Sequence, residues 1–208
     1  MPTMPSEARA GWRWLRIGLW VAAAVAVAAL LFGTQAANQK APVNSYGAMF
    51  GGPFALTDTQ GRTVTEASLK GRPYAIFFGF TRCPEVCPTT LSSLARLHQA
   101  LGKDAARLRI VFVSVDPGHD TPASLGTYLA AFPIPVIGLT GTPEQLAQIE
   151  KSYAVYVKKV PLEGGDYTID HTASVYLMDA DGSFVTTLGY DDSEANKLNI
   201  LKRFLARS

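Results

Sequence analysis

Three patterns of apolar and polar positions succeed one another along the 208-residue chain. The first is an unbroken apolar run, "IGLWVAAAVAVAALLF" (Ile17 to Phe32), continued by uncharged residues through Asn38. It reaches about the 20 residues that a helix needs to cross a bilayer core. The second, Ala37 to Pro53, mixes Gly, Pro, Asn and Ser without a period and reads as a tether. The third, from Phe54 to the end, alternates short apolar runs with amphipathic stretches.

Within that last part, Phe54 and Leu56, the polar turn Asp58 to Gly61 and Thr63 to Thr65 predict a hairpin. "YAIFFGF" after Pro73 is apolar throughout, as in a strand buried on both faces. Leu91, Leu94, Leu97 and Leu101 recur at helical spacing, with Pro88 in the first turn and Gly102 as the stop. "RLRIVFVSV" (Arg107 to Val115) is a second buried strand. Thr121-Pro122 opens a helix to about Phe132, "IPVIGLT" is a short strand, and Thr142-Pro143-Glu144 opens a helix to Ser152. "AVYVKKV" reads as a strand and "PLEGGD" as a turn. "YTIDHTASVYLMD" and "SFVTTLG" read as two strands joined across Ala180 to Gly182, and "SEANKLNILKRFLA" as a closing amphipathic helix. Alternating strands and helices call for a parallel centre, and the late hairpin adds antiparallel strands. The expected class is α/β: a thioredoxin-like domain with a central mixed sheet, of the peroxiredoxin-like subgroup.

Charge sharpens the first pattern. Residues 1–40 carry four Lys/Arg and one acid (+3), while residues 41–208 carry 15 basic and 16 acidic residues (−1). Arg9, Arg13 and Arg16 precede the apolar run, and Trp12, Trp14 and Trp20 fall where an aromatic belt would lie. The expected division is a cytoplasmic terminus at 1–16, a transmembrane anchor at 17–38, a linker at 39–53 and an exported domain at 54–208. A cleaved secretory signal, with "TQA" before Ala37 as its processing site, is the alternative. Either one exports the domain. A net charge of +2 gives no reason to expect nucleic acid as a partner.

Export changes the meaning of the two cysteines, Cys83 and Cys87, in "FFGFTRCPEVCPTTL". An oxidising compartment permits a disulfide, but a loop this small gains little from one, which points to chemistry rather than stapling. The pair follows a buried strand and opens a helix, where partial positive charge stabilises a thiolate. Thiolate serves both redox chemistry and metal binding. Three intervening residues depart from the usual Cys-x-x-Cys redox pair, and positions four apart on a helix share a face, which suits one soft ion; with Cys83 on the loop before the helix, a disulfide stays open.

A metal needs a third ligand. His98 lies about 16 Å along the helix from Cys87 and is too far to join it. His119, after Asp116-Pro117, lies at the same sheet edge as the thiols. His171, on spacing alone, reads as a strand histidine bonded to a neighbour. Met178 fits an apolar strand pattern, and Asp116, Asp120, Asp179 and Asp181 suit turns and caps. The sequence has no paired-carboxylate, nucleophilic-serine or phosphate-loop motif.

"FFGFTRCPEVCPTTL", "VSVDPGHDTPASL", "GLTGTPEQL", "YAVYV" and "YTIDHTASVYLMDADGSF" together resemble the SCO/SenC family, over nearly all of the exported part. The resemblance implies a thioredoxin-like copper protein tethered by one amino-terminal membrane helix. Such proteins help build the binuclear copper centre of cytochrome c oxidase. The family's Cys-Pro-x-x-Cys-Pro motif and late Asp-His pair fall on Cys83, Cys87 and His171, which become the expected metal ligands. Glu85 stands where relatives often carry Asp.

Two thiolates and an imidazole suit Cu(I) or Cu(II), and zinc could use them too. Asp170 is a weak candidate to orient His171, since neighbouring strand residues face opposite ways. A loop at Pro161 to Gly165 would let His171 swing. The implied partners are subunit II of cytochrome c oxidase and an upstream copper donor. The implied location is a bacterial inner membrane, single-pass, with the domain in the periplasm.

Three other readings compete, the blandest being a copper-responsive sensor that delivers nothing. A thiol–disulfide oxidoreductase would keep the target's cysteines reduced, and carrying copper needs no turnover. A peroxiredoxin is disfavoured, because the threonine required three residues before the attacking cysteine is Pro84.

Overall fold

The computed structural model describes residues 18–23, 27 and 50–208. Residues 18–23 and 27 are helical and exposed. Among the described residues no helix is long and apolar enough to cross a membrane. The expected anchor at 17–38 lies, apart from those seven positions, outside the described residues, and so do Arg9, Arg13, Arg16, Trp12 and Trp14.

Residues 50–208 lie in one compact unit. It contains strands β1 (Ala55–Asp58), β2 (Thr63–Thr65), β3 (Tyr74–Gly79), β4 (Arg109–Ser114) and β5 (Val136–Thr140). Four more follow: β6 (Val157–Pro161), β7 (Tyr167–His171), β8 (Val175–Met178) and β9 (Phe184–Leu188). Its helices are α1 (Glu66–Leu69), α2 (Val86–Leu101), α3 (Pro122–Leu129), α4 (Pro143–Ser152) and α5 (Glu194–Leu205). Seven strands form one sheet in the order β2-β1-β5-β4-β3-β8-β9, while β6 and β7 make a separate two-stranded ribbon. The centre, β3 with β4 and β4 with β5, is parallel, and the flanks are antiparallel. This is the expected mixed α/β sheet.

All six residues of β3 are buried, which is why this strand reads as a continuous apolar run. Two clusters pack on its faces. Phe77 and Phe112 join the leucines of α2 and α5 on one side, and Ile76, Phe78 and Val113 join Leu146 and Tyr153 on the other. Met178 is fully buried in the second cluster, so it is a core residue. Phe50, within the stretch expected as a tether, packs on Phe184 with ring centroids 4.8 Å apart.

The helix starts follow their caps. Thr121, Thr142 and Ser193 each accept a backbone N–H from the third residue on. Asp179 accepts from the N–H groups of Asp181 and Ser183, fixing the β8–β9 turn.

Three elements differ from expectation. Gly102 ends α2 as expected, with a φ of 58°, but a 3-10 helix (Gly102–Arg107) that the sequence did not announce follows it. The short α1, capped by Thr65, was not foreseen. The most consequential difference is in "YTIDHTASVYLMD", which is two strands and not one. β7 pairs with β6, β8 pairs with β3 and β9, and Thr172 to Ser174 separate them. His171 therefore ends the ribbon and lies outside the β8–β9 hairpin.

Candidate metal centre

The chain after β3 makes a turn, in which the Cys83 N–H donates to the Phe80 carbonyl (3.3 Å), and then enters α2 at Val86. Cys83 thus sits on the loop and Cys87 in the first helical turn. The expected shared helix face is not how the two thiols meet. They meet because Cys83 folds back over the helix end, where its Sγ accepts the Cys87 backbone N–H at 3.3 Å. The helix has no other side-chain cap, since Glu85 makes no such bond. A sulfur fills that role here.

Cys87 is fully buried, Cys83 is half-buried, and both are free thiols. Gly79 makes room for Cys87: a Cβ at position 79 would lie 2.7 Å from its Sγ. No side chain larger than hydrogen fits there without displacing the sulfur.

His171 arrives from the ribbon. Its Nε2 lies 3.6 Å from Cys87 Sγ, and the ligand atoms of Cys83, Cys87 and His171 all fall within 4.8 Å of one another. Sulfurs at about 2.3 Å and a nitrogen at about 2.0 Å from a common ion would stand roughly 4 Å apart. The three therefore form a possible metal site, needing only small adjustments. Nδ1 of His171 bonds the Thr172 carbonyl at 3.0 Å. A carbonyl only accepts, so Nδ1 carries the proton and Nε2 offers its lone pair to the thiols. Asp170, exposed on the ribbon, has no part in this. Phe80 and Phe77 hold the imidazole edge-on, with centroids 5.8 and 6.1 Å away.

The two thiols differ in acidity. The hydrogen bond from Cys87 draws Cys83 down to about 4, against the opposing effect of burial; the backbone N–H groups of Cys87 and Glu85 add to the drop. Donating to Cys83, burial and the neighbouring thiolate charge all push Cys87 up. In the metal-free protein one proton is shared between two sulfurs and stays on the inner one.

A second layer, unrecognised in the sequence, ties the thiol loop to the ribbon. Arg82 donates to Asp166 at 2.7 Å and to the Tyr167 carbonyl at 3.2 Å, and reaches Asp116 at 3.5 Å. Its guanidinium lies 5.3 Å from the Tyr167 ring centroid. Tyr167 in turn donates to the buried Asp116 at 2.5 Å. Asp120, also buried, accepts from Thr81 N, Thr81 Oγ1 and Ser114 Oγ at 3.0, 2.5 and 2.6 Å. These two carboxylates are structural anchors rather than plain turn residues. Their signal in the sequence was the spacing of the two aspartates in "VDPGHDT".

The other histidines lie elsewhere. His119 bonds Asp116 and Tyr167 through Nδ1, at 3.0 Å each, and is outside the thiol cluster. His98 is on α2, beside Arg96 and Pro133, and also does not join it.

A family model described as SCO1/SenC matches residues 43–206. The solved structure of Bradyrhizobium japonicum ScoI with copper bound is 49% identical, has a TM-score of 0.69, and covers 74% of this chain and 99% of its own. BsSco, reported with a disulfide switch and as a member of the Sco family of cytochrome c oxidase assembly proteins, is 26% identical. Its TM-score is 0.62, over 77% of this chain and 96% of its own. Protein SCO2, mitochondrial, of Saccharomyces cerevisiae is 39% identical over 163 residues, 76% of this chain and 54% of that protein. The chain spans about half the length of the curated relatives it matches. With thiols, imidazole, fold and relatives in agreement, the chain belongs to the SCO1/SenC family.

Proposed function

We propose that this protein is a copper metallochaperone that delivers copper to the binuclear centre of cytochrome c oxidase during assembly. The observation that carries the reading is the convergence of Cys83, Cys87 and His171 within 4.8 Å. Two sulfurs and one unprotonated nitrogen match the softness of Cu(I) and leave a position open for a fourth ligand on Cu(II). The half-exposed Cys83 is the sulfur an acceptor can reach first, so ligand exchange begins there. The acceptor is subunit II of the oxidase, and an upstream chaperone supplies the copper. The apolar run at 17–38 anchors the protein in a bacterial inner membrane by a single pass, with residues 54–208 in the periplasm.

The unequal exposure of the two thiols also supports a second reading, a thiol–disulfide oxidoreductase in which Cys83 attacks and Cys87 resolves. The test is copper and zinc content of the reduced full-length protein and of Cys83→Ala, Cys87→Ala and His171→Ala. Carriage of copper requires about one ion per chain, lost in all three variants. An oxidoreductase keeps its dithiol exchange in His171→Ala. Unchanged copper in that variant would remove the chaperone reading.

A further inference from the structure

Strands β3, β4 and β5 run parallel, so their amino ends at Tyr74, Arg109 and Val136 share the sheet edge opposite the thiols. A cleft of about 590 Å³ opens at that edge, between the β1–β2 hairpin, α1 and the starts of β4 and β5. This is the volume of a small-molecule site. Nothing in the copper reading uses it.

Val64, Leu108 and Val136 give the cleft apolar walls, and Arg62, Arg72 and Arg109 give it charge. Arg62 is matched by Asp58 at 2.7 Å. Arg72 and Arg109 have no carboxylate within 4.0 Å among the described residues. Arg72 Nη2 donates to the Ala106 carbonyl. Arg109 Nη1 donates to the carbonyls of Ser68 and Leu69, at 3.2 and 3.1 Å. Such bonds fix a guanidinium in place without cancelling its charge, and each guanidinium has five N–H donors. Burial, and then the charge of Arg72, make Arg109 easier to deprotonate than an isolated arginine, as expected of two cations facing one another. Three arginines and Asp58 sum to +2 in the cleft, within a stretch (41–208) that sums to −1.

We propose that this cleft binds an organic phosphate ester, with Arg72 and Arg109 gripping the phosphate and the apolar walls receiving the body of the ligand. One guanidinium fork matches one carboxylate, whereas two adjacent forks match a group with three or four oxygens. A soluble phosphate ester and a phospholipid headgroup share this chemistry.

The experiment is calorimetric titration of the full-length protein in a neutral detergent. The probes are phenyl phosphate, glycerophosphoglycerol (the soluble headgroup of phosphatidylglycerol) and benzoate. Arg72→Gln and Arg109→Lys are compared with Arg203→Gln on the far side of the sheet, and thermal unfolding confirms that each variant is folded. The proposal expects at least one phosphate probe to bind, at least tenfold weaker in Arg72→Gln and in Arg109→Lys, and unchanged in Arg203→Gln. Tighter phenyl phosphate supports a soluble ester, and tighter glycerophosphoglycerol supports a headgroup. Benzoate binding as tightly as phenyl phosphate, no phosphate binding at all, or binding indifferent to Arg72 and Arg109 each overturns it. Copper content does not enter, so the outcome is independent of the chaperone reading.

Discussion

Nε2 of His171 stands 3.6 Å from Sγ of Cys87, although 84 positions separate them in the chain. One donor hangs from the ribbon and the other is sealed into the helix start, so the site forms only in the folded protein. His171→Ala should weaken copper binding by more than the roughly 10- to 100-fold typical of losing a group that merely supports a ligand. The dithiol and the fold should survive. Competition titration with a copper chelator, alongside circular dichroism, measures both.

Gly79→Ala should be disproportionately harmful for a single methyl group. The added Cβ would meet Cys87 Sγ at 2.7 Å and Phe112 at 3.0 Å, inside a fully buried strand. Overpacking of this kind costs about 1–3 kcal/mol. Chemical unfolding should register that loss, together with weaker copper binding as the sulfur is displaced.

In the metal-free protein, alkylation should discriminate between the thiols. Cys83, drawn to about 4, remains a thiolate through neutral and mildly acidic pH, and it is the accessible one. Its iodoacetamide rate should therefore stay nearly flat from about pH 8 to pH 5, where an ordinary cysteine with pKa near 8.5 slows about tenfold per pH unit. Cys87 should resist. Mass spectrometry of the alkylated peptide reads both.

Asp58 gives the fold an acid-sensitive point far from the thiols. Burial acts to raise its pKa, but the N–H groups of Arg62 and Gln60 and the Arg62 guanidinium outweigh burial and hold it below the ordinary value. A depressed folded pKa stabilises the native state above the unfolded value of about 3.9, and that contribution is lost as pH falls through the folded value. Asp58→Asn should flatten the stability profile below about pH 4 and lower stability at neutral pH. Denaturant midpoints across pH 2–7 check it.

Tyr167→Phe removes the 2.5 Å donor to buried Asp116 and loosens the ribbon on which His171 sits. Leaving that carboxylate short of a partner costs about 1–3 kcal/mol. Hydrogen exchange should quicken across β6 and β7, and copper should dissociate faster, with β3 and β4 unaffected.

Much of this was legible in the sequence because the signals were local. The apolar run of Tyr74 to Gly79, the leucines of α2 and the Thr-Pro helix starts follow from periodicity and capping. The division between β7 and β8 was not legible. "YTIDHTASVYLMD" has no Gly or Pro at Thr172 to Ser174 to mark a break. Only the pairing partners, β6 for one half and β3 for the other, separate them. Likewise, spacing could not raise His171 above an ordinary strand histidine. Resemblance to a family singled it out, and the tertiary structure supplies the physical reason. The Thr172 carbonyl that sets its tautomer belongs to the backbone, so no residue type announces it.

The capping of α2 by Cys83 has one further consequence. A sulfur lone pair committed to a cation or to another sulfur is a poorer acceptor for the Cys87 N–H. Filling or oxidising the centre thus weakens the one side-chain cap that the described residues show at the start of α2, where Pro84 and Glu85 are exposed.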